Sequence, residues 1–425
     1  MGDFISTISI MTIVIMLGIF SLALFLRSPI VPIGFLLIIF LMNSFLRNGL
    51  PFIRIGRFNI NPLDILSVLM IISAIMRMIL VKTRHLPLLK FLVLALGIML
   101  MVSWGRGTTL FGLESATNYF RTTLFFFSSV FFLTTFQYKE NIVHRLIYWW
   151  GIVAWLLIGL AFWRWGQVIL GISKNPDWMT SSGMMVRVLN ASQTFVILQS
   201  VIFAWVFRGQ ENSLPLQRLM PYIAIPAIIL LQHRTIWVVF LFLLICIFFM
   251  MKRTRPIILF MTLVAMLLGG FTVLALWEKP LLNSLTNSVI NLDNFKWRVA
   301  GWMELISPAQ YSHVIDYFIG QPLGTGYERY LFGSSTAIGY SPHNFYVQTF
   351  LNIGVIGLIL FLLIYLGTLK SLLEKRHDKH KTAFALILIS QLLFFMTYAP
   401  SFEQGILLGF SILLAGLNDK QELIQ

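Results

Sequence analysis

Apolar residues run along the chain in long blocks, separated by short polar or proline-bearing steps. The blocks fall at 4–26, 30–46, 62–81, 88–105, 117–136, 146–163, 188–207, 219–232, 235–251, 256–277, 344–369, 382–398 and 404–417. A membrane-spanning helix takes roughly 20 apolar residues, so most blocks are long enough to cross a bilayer. A lone strand cannot satisfy its backbone in lipid, so the blocks predict helices. The expectation is an all-α polytopic membrane bundle of about twelve or thirteen transmembrane helices. The blocks at 219–232 and 404–417 are short enough to be broken or re-entrant. Only one connection is long, from Glu278 to Pro342.

Composition agrees with the pattern. Of 425 residues, 58% are hydrophobic and 11% charged, against about 25% charged in an average soluble protein. A soluble single-domain protein is excluded. The lone cysteine, Cys246, lies inside an apolar block and excludes an internal disulfide or a cysteine-based metal cluster.

Charge adds orientation. Lys+Arg number 31 against 16 Asp+Glu, a net +15. These cations are spread between apolar blocks, which points to membrane topology and not to nucleic acid. Lys82, Arg84 and Lys90 form one short basic cluster; Lys252, Arg253 and Arg255 form a second. Lys370, Lys375, Arg376, Lys379 and Lys381 form a third. The span order puts all three on one side, and the positive-inside rule makes that side cytoplasmic. The expected organisation is then an N-terminal bundle at 1–277 and an extracytoplasmic loop with short amphipathic helices at 278–342. C-terminal transmembrane helices follow at 343–425.

The other side carries Lys174, Lys279 and Lys296 but also Arg47, Arg54, Arg57, Arg106, Arg121, Arg164, Arg187, Arg234, Arg298 and Arg329. An arginine bias there is not topogenic. A guanidinium grips phosphate oxygens in pairs, as an ammonium cannot. One reading is an outer-face phosphate site; the other is arginines snorkelling to lipid headgroups.

The chain has no phosphate-binding glycine loop of the nucleotide-driven kind, no HExxH, and no Asp-x-Asp metal pair. His377 and His380 share a charged loop with Arg376 and Lys379; of the two readings, metal binding and a solvated topogenic loop, the sequence favours the loop. Three places do carry chemistry. His233-Arg234 stands between two apolar blocks with almost no loop, and charges at such boundaries are functional candidates. Lys296-Trp297-Arg298 to Trp302 reads as an amphipathic interfacial helix anchored by its tryptophans. Ser341-Pro342-His343-Asn344 opens a long apolar helix, with Pro and Asn suited to its first turn and cap. A neutral His343 there would serve as a base near neutral pH. The alternative is an interfacial histidine hydrogen-bonded to a neighbouring loop.

At these residues the chain resembles the O-antigen ligase/polymerase superfamily. Pro342-His343-Asn344 followed by a helix with Gly354 and Gly357 looks like its signature. Pro322-Leu-Gly324-Thr-Gly326 is similar to the Gly-x-Gly that precedes the His-Asn pair. Arg298 with Trp302 looks like the insert's Arg-Trp helix. His233-Arg234-Thr235 resembles a Ser-Arg-Thr/Gly step, with His in place of Ser. The resemblance covers residues 188–398. It implies a glycosyltransferase in the bacterial cytoplasmic membrane, with its active site facing outward and no metal, nucleotide or other cofactor. The implied donor is a glycan on undecaprenyl diphosphate. The implied acceptor is a sugar hydroxyl, on lipid A–core or on another carrier-linked glycan.

On that reading His343 is the general base, and Arg234 and Arg298 clamp the leaving diphosphate. Arg187, Arg54, Arg57 and Arg329 are further candidates for the same anion. Asn344, Tyr340 and Glu328 are expected to orient the sugar or the base. A polyprenyl-linked glycan flippase or other secondary transporter is the alternative, although no internal repeat is apparent. A structural or assembly subunit is a third.

Overall fold

The structure is a computed structural model describing residues 16, 18–46, 51–55, 58–80, 88–170, 172, 187–208, 215–250, 293–307, 311, 313–330, 337–374 and 378–416. Thirteen helices run through the described residues. They are α1 (Gly18–Arg27), α2 (Ile30–Phe45), α3 (Pro62–Leu80), α4 (Leu88–Thr134), α5 (Glu140–Ile169), α6 (Ala191–Val206) and α7 (Pro215–Leu230). The rest are α8 (Arg234–Met250), α9 (Asp293–Ile306), α10 (Val314–Ile319), α11 (Phe345–Glu374), α12 (Lys379–Phe394) and α13 (Phe402–Ala415). The one sheet among the described residues is a hairpin of β1 (Ile53–Ile55) and β2 (Phe58–Ile60), paired antiparallel. The all-α polytopic bundle expected from the hydropathy pattern is what the chain forms.

Each predicted span meets a helix except 256–277, which lies outside the described residues. Helices α3, α4, α5 and α11 are long and apolar enough to cross a membrane unaided. Helices α1 and α2 form a pair bent by 119°. Helix α4 has 47 residues, about 70 Å at 1.5 Å per residue, which is too long for one crossing of about 30 Å. It is broken at Gly112, whose φ of 82° and ψ of 159° leave the helical region. The break falls between the blocks predicted at 88–105 and 117–136. Helix α7 is short and carries Pro221 and Pro226.

Helix α4 is central; α3, α11 and α13 all pack along it. Gly405 and Gly409, one turn apart on α13, set the approach. A Cβ on Gly405 would stand 2.4 Å from the Phe126 carbonyl oxygen, and one on Gly409 2.7 Å from the Leu133 Cβ. Small residues at this spacing let two helices close in where lipid gives no hydrophobic drive for association. Between the other helices the core is aromatic: Phe195 stacks on Phe394 with ring centroids 4.1 Å apart.

The bundle has two chemically distinct ends. At one, Arg27, Arg77, Lys90, Lys139 and Arg145 surround a single cavity. At the other stand the ends of α2 and α5, the β-hairpin, and the starts of α6, α8 and α11. Arg145 and Arg164 both lie on α5, about 28 Å apart at helical rise, and mark the two ends.

The insert is fastened to the second end through α4. Arg106 pairs with Asp316 of α10 and donates to the Gly320 carbonyl at 2.8 Å. Leu323 N–H donates to the Ser103 carbonyl at 3.3 Å, and Gln321 N–H to the Leu351 carbonyl at 2.7 Å. Helix α10 also crosses α11 where α11 is broken at Gly354. Gly354 has φ 69°, and a Cβ there would stand 2.1 Å from the Phe318 carbonyl oxygen. Gly354→Ala is therefore expected to destabilise the fold by about 1–3 kcal/mol. Thermal unfolding in detergent checks this; an unchanged midpoint would contradict the close approach of α10 and α11.

Candidate functional site

The site is assembled where helices start and stop. Asn190 caps α6 in a reciprocal box: its Oδ1 accepts from Gln193 N–H at 2.9 Å, and Gln193 Oε1 accepts from Asn190 N–H at 2.8 Å. That cap follows the short step Arg187-Val188-Leu189, whose Val188 and Leu189 are buried. Arg164, near the end of α5, donates to the carbonyls of Val188 and Ser44, each at 2.6 Å. The ends of α2, α5 and the approach to α6 are thus tied by one guanidinium.

The step from α7 to α8 adds the second side. Gln232 takes a left-handed φ of 58°, which ends α7 and swings His233 towards α6. His233 Nε2–H donates to the Leu189 carbonyl at 2.9 Å. A carbonyl only accepts, so this bond puts the proton on Nε2. Burial pushes the His233 pKa down to about 4, against the raising effect of that bond. The ring is neutral at pH 7 and joins α8 to α6. Arg234 follows as the first residue of α8, and Thr235 Oγ1 accepts from Thr397 Oγ1 at 2.8 Å.

The insert and α11 supply the third side. Trp302 of α9 donates its indole N–H to the Pro342 carbonyl at 2.6 Å. Asn344 Oδ1 accepts from Tyr346 N–H at 3.0 Å and Val347 N–H at 3.2 Å, the capping role its sequence position predicts. Phe345 N–H donates to the Phe395 carbonyl at 2.8 Å. Between these anchors His343 is held at a left-handed φ of 50°, with its side chain accessible. Its pKa lies below 6.5, lowered first by burial and then by the positive charges of Arg298 and Arg329. It is neutral near pH 7.

These three sides enclose an open cavity of about 490 Å³. Arg187, Arg298, His233, His343 and Tyr398 line it, with Arg164, Asn43, Ser44, Asn190 and Gln193. No Asp or Glu lines it among the described residues. Burial lowers the Arg187 pKa; Tyr398 opposes the shift and Arg298 adds to it. Arg187 and Arg298 also act on Arg234 through space. Three like charges therefore converge from three separate elements, an arrangement that favours an anion between them. Beside them stands a neutral imidazole able to take a proton.

Of the residues predicted from the sequence, His343, Arg298 and Arg187 meet at the cavity, and Arg234 is coupled to them. Arg54 stands on the exposed hairpin and does not line the cavity. Arg57 lies outside the described residues. Arg329 is 1% exposed and sits within the fold. Its guanidinium donates to the carbonyls of Tyr327 and Tyr340 at 3.0 and 2.7 Å and faces the Trp297 ring at 5.2 Å. It reaches the site through its charge on His343. Glu328 and Tyr340 are exposed and do not line the cavity; Tyr340 contributes its carbonyl. Tyr398 and the Asn190–Gln193 box were not singled out from the sequence. The box has a readable signal, a polar pair three residues apart at the start of an apolar block; Tyr398 has none beyond its place before Pro400.

Residues 222–362 match a family model described as O-antigen ligase. The match begins in α7 and ends in α11, and includes Arg234, Arg298 and His343. No curated protein and no solved structure matches the chain.

Titrating the purified chain with inorganic diphosphate is expected to give binding that Arg187→Gln and Arg298→Gln each weaken about tenfold or more, some 1.4 kcal/mol. Equal binding by both variants and wild type would mean that the cavity is not an anion site.

Proposed function

From a multi-pass membrane chain of which residues 222–362 match an O-antigen ligase family model, we propose a specific reaction. The protein transfers a glycan from a polyprenyl diphosphate carrier, undecaprenyl diphosphate in bacteria, to a sugar hydroxyl at the outer leaflet. The observation that carries this reading is the cavity that gathers His343, Arg187 and Arg298 with no carboxylate among the described residues that line it. It lies at the end of the bundle opposite the Lys/Arg-lined cavity, as an outward-facing site would by the positive-inside rule.

The chemistry follows from the charges. The acceptor hydroxyl oxygen attacks the anomeric carbon and forms the new glycosidic bond. The bond from that carbon to the carrier's diphosphate oxygen breaks, and its electron pair leaves with the diphosphate. The hydroxyl proton passes to the His343 imidazole, which is neutral and ready to accept it. Negative charge on the departing diphosphate is met by the guanidinium donors of Arg298, Arg187 and Arg234. Asn344 holds the backbone on which His343 sits, and Trp302 holds the residue before it. An accessible base with no carboxylate lining the cavity among the described residues suits a single displacement, with inversion at the anomeric carbon. Lipid A–core and a second carrier-linked glycan are both acceptors of the required kind. The reaction needs no nucleotide and no metal on this reading.

His343→Ala is expected to abolish transfer from carrier-linked glycan to acceptor while leaving membrane insertion intact, with a stability loss of about 1 kcal/mol from alanine on a left-handed backbone. Normal transfer by that variant would remove His343 as the base. Arg298→Lys is expected to lose most activity, because an ammonium cannot form the paired contact; full activity would indicate a point-charge role. Movement of the glycan across the membrane without a new glycosidic bond would favour the transporter reading.

The pH profile carries a separate test. Lowering the His343 pKa favours the neutral form, so activity requiring that form rises with pH and levels off above the pKa. The acid limb of kcat/KM is expected below pH 6.5. A limb at or above 6.5 would contradict the electrostatic environment described for His343.

A further inference from the structure

The basic loop that contains His377 and His380 is not wholly solvated. His377 lies outside the described residues, but His380 turns inward at the start of α12 and is 9% exposed. Its ring meets that of His144 on α5 edge to face, with centroids 5.0 Å apart, and Phe207 covers it from another direction at 5.0 Å. Asp378 caps α12 by accepting the His380 backbone N–H at 2.7 Å. The same carboxylate oxygen stands 3.5 Å from His380 Nδ1. That leaves Nε2 on the far side of the ring, buried and without a hydrogen-bond partner. On α5, Glu140 and His144 are four residues apart and share a face, with Oε1 and Nε2 3.4 Å apart. One donor atom from each of Glu140, His144 and His380 lies within 4.8 Å of the other two.

We propose that Glu140, His144 and His380 bind a transition-metal ion, Zn²⁺ foremost, which clamps the start of α5 to the start of α12. Donors 2.0–2.1 Å from a tetrahedral ion stand roughly 3.4 Å from one another. The Glu140–His144 pair already has that spacing, and His380 needs a small approach to reach it. Two imidazoles with one carboxylate suit Zn²⁺, whereas Mg²⁺ and Ca²⁺ prefer oxygen ligands throughout. A carboxylate on the outer nitrogen of a ligating histidine fixes its orientation and raises its basicity; Asp378 stands in that place. Lys139, Arg145, Lys379 and Lys381 neighbour the ligands in sequence and oppose any cation held by general attraction. An ion here must be held by direct coordination, which again favours Zn²⁺ over Mg²⁺. His144 and Arg164 lie on one helix, about 30 Å apart at helical rise. The metal site is therefore separate from the cavity of the proposed transfer reaction and does not depend on that reading.

The test uses the full chain, purified in detergent without a histidine tag. Zn²⁺ uptake is measured by competition with a chromophoric chelator, and thermal unfolding is followed with and without Zn²⁺. Wild type is expected to take up one Zn²⁺ per chain and to unfold at a higher temperature when it is bound. His144→Ala and His380→Ala are expected to weaken uptake about 100-fold or more and to lose the thermal shift. Asp378→Asn is expected to weaken it about 10–100-fold, and His313→Ala, at an exposed position elsewhere, not at all. Glu140→Gln keeps both imidazoles and guards against misfolding: weakened uptake with unchanged metal-free unfolding supports the proposal. Failure of wild type to bind Zn²⁺, or uptake by the Glu140, His144 and His380 variants equal to wild type, overturns it.

Discussion

A backbone carbonyl at the end of a helix has no partner within that helix, and near a bilayer core it has little water to turn to. In this chain guanidinium groups meet that need, and the same need of carbonyls in loops and at a strand, repeatedly. Arg164 binds the carbonyls of Ser44 and Val188. Arg106 binds that of Gly320 and pairs with Asp316. Arg121 binds that of Asn59 while pairing with Asp64 at 3.0 Å. Arg77 binds those of Leu26 and Thr135, stacked over Phe136. Arg329 does the same for Tyr327 and Tyr340. A planar fork with five donors closes two chain ends at once. One of these bonds borders the candidate cavity directly, where Arg164 ties the end of α2 to the approach of α6.

The arginine bias read along the chain therefore has two origins. Arg106, Arg121, Arg164 and Arg329 fasten chain ends, while Arg187, Arg234 and Arg298 are brought near one another around a cavity. Charge counting along the chain cannot separate the two, because both kinds sit in short steps between apolar blocks. What separates them is the direction of each side chain, and that depends on packing. Arg329 illustrates the point: it lies two residues from Tyr327, itself fully enclosed, and is drawn into the fold with it.

Much of the remainder was legible. Hydropathy located the helices because lipid permits no other element, and the block boundaries found the break at Gly112. Asn344 was readable as a cap, and Pro342-His343 as the step before α11. Gly354 was readable only as a motif residue; its physical task, admitting α10 across a broken helix, required the neighbour to be seen. His380 escaped because its loop is basic and polar. Its burial comes from contact with α5, which lies far away in sequence.

The left-handed backbone at His343 narrows which residues this position can hold. Glycine adopts that conformation freely, and asparagine, aspartate and histidine tolerate it better than other side chains. Within that short set, histidine alone has an unperturbed pKa that places its proton exchange near neutrality. The geometry of the chain and the proposed role of a base thus select the same amino acid. A substitution that restores a proton acceptor here must also fit a turn that excludes most of the alternatives.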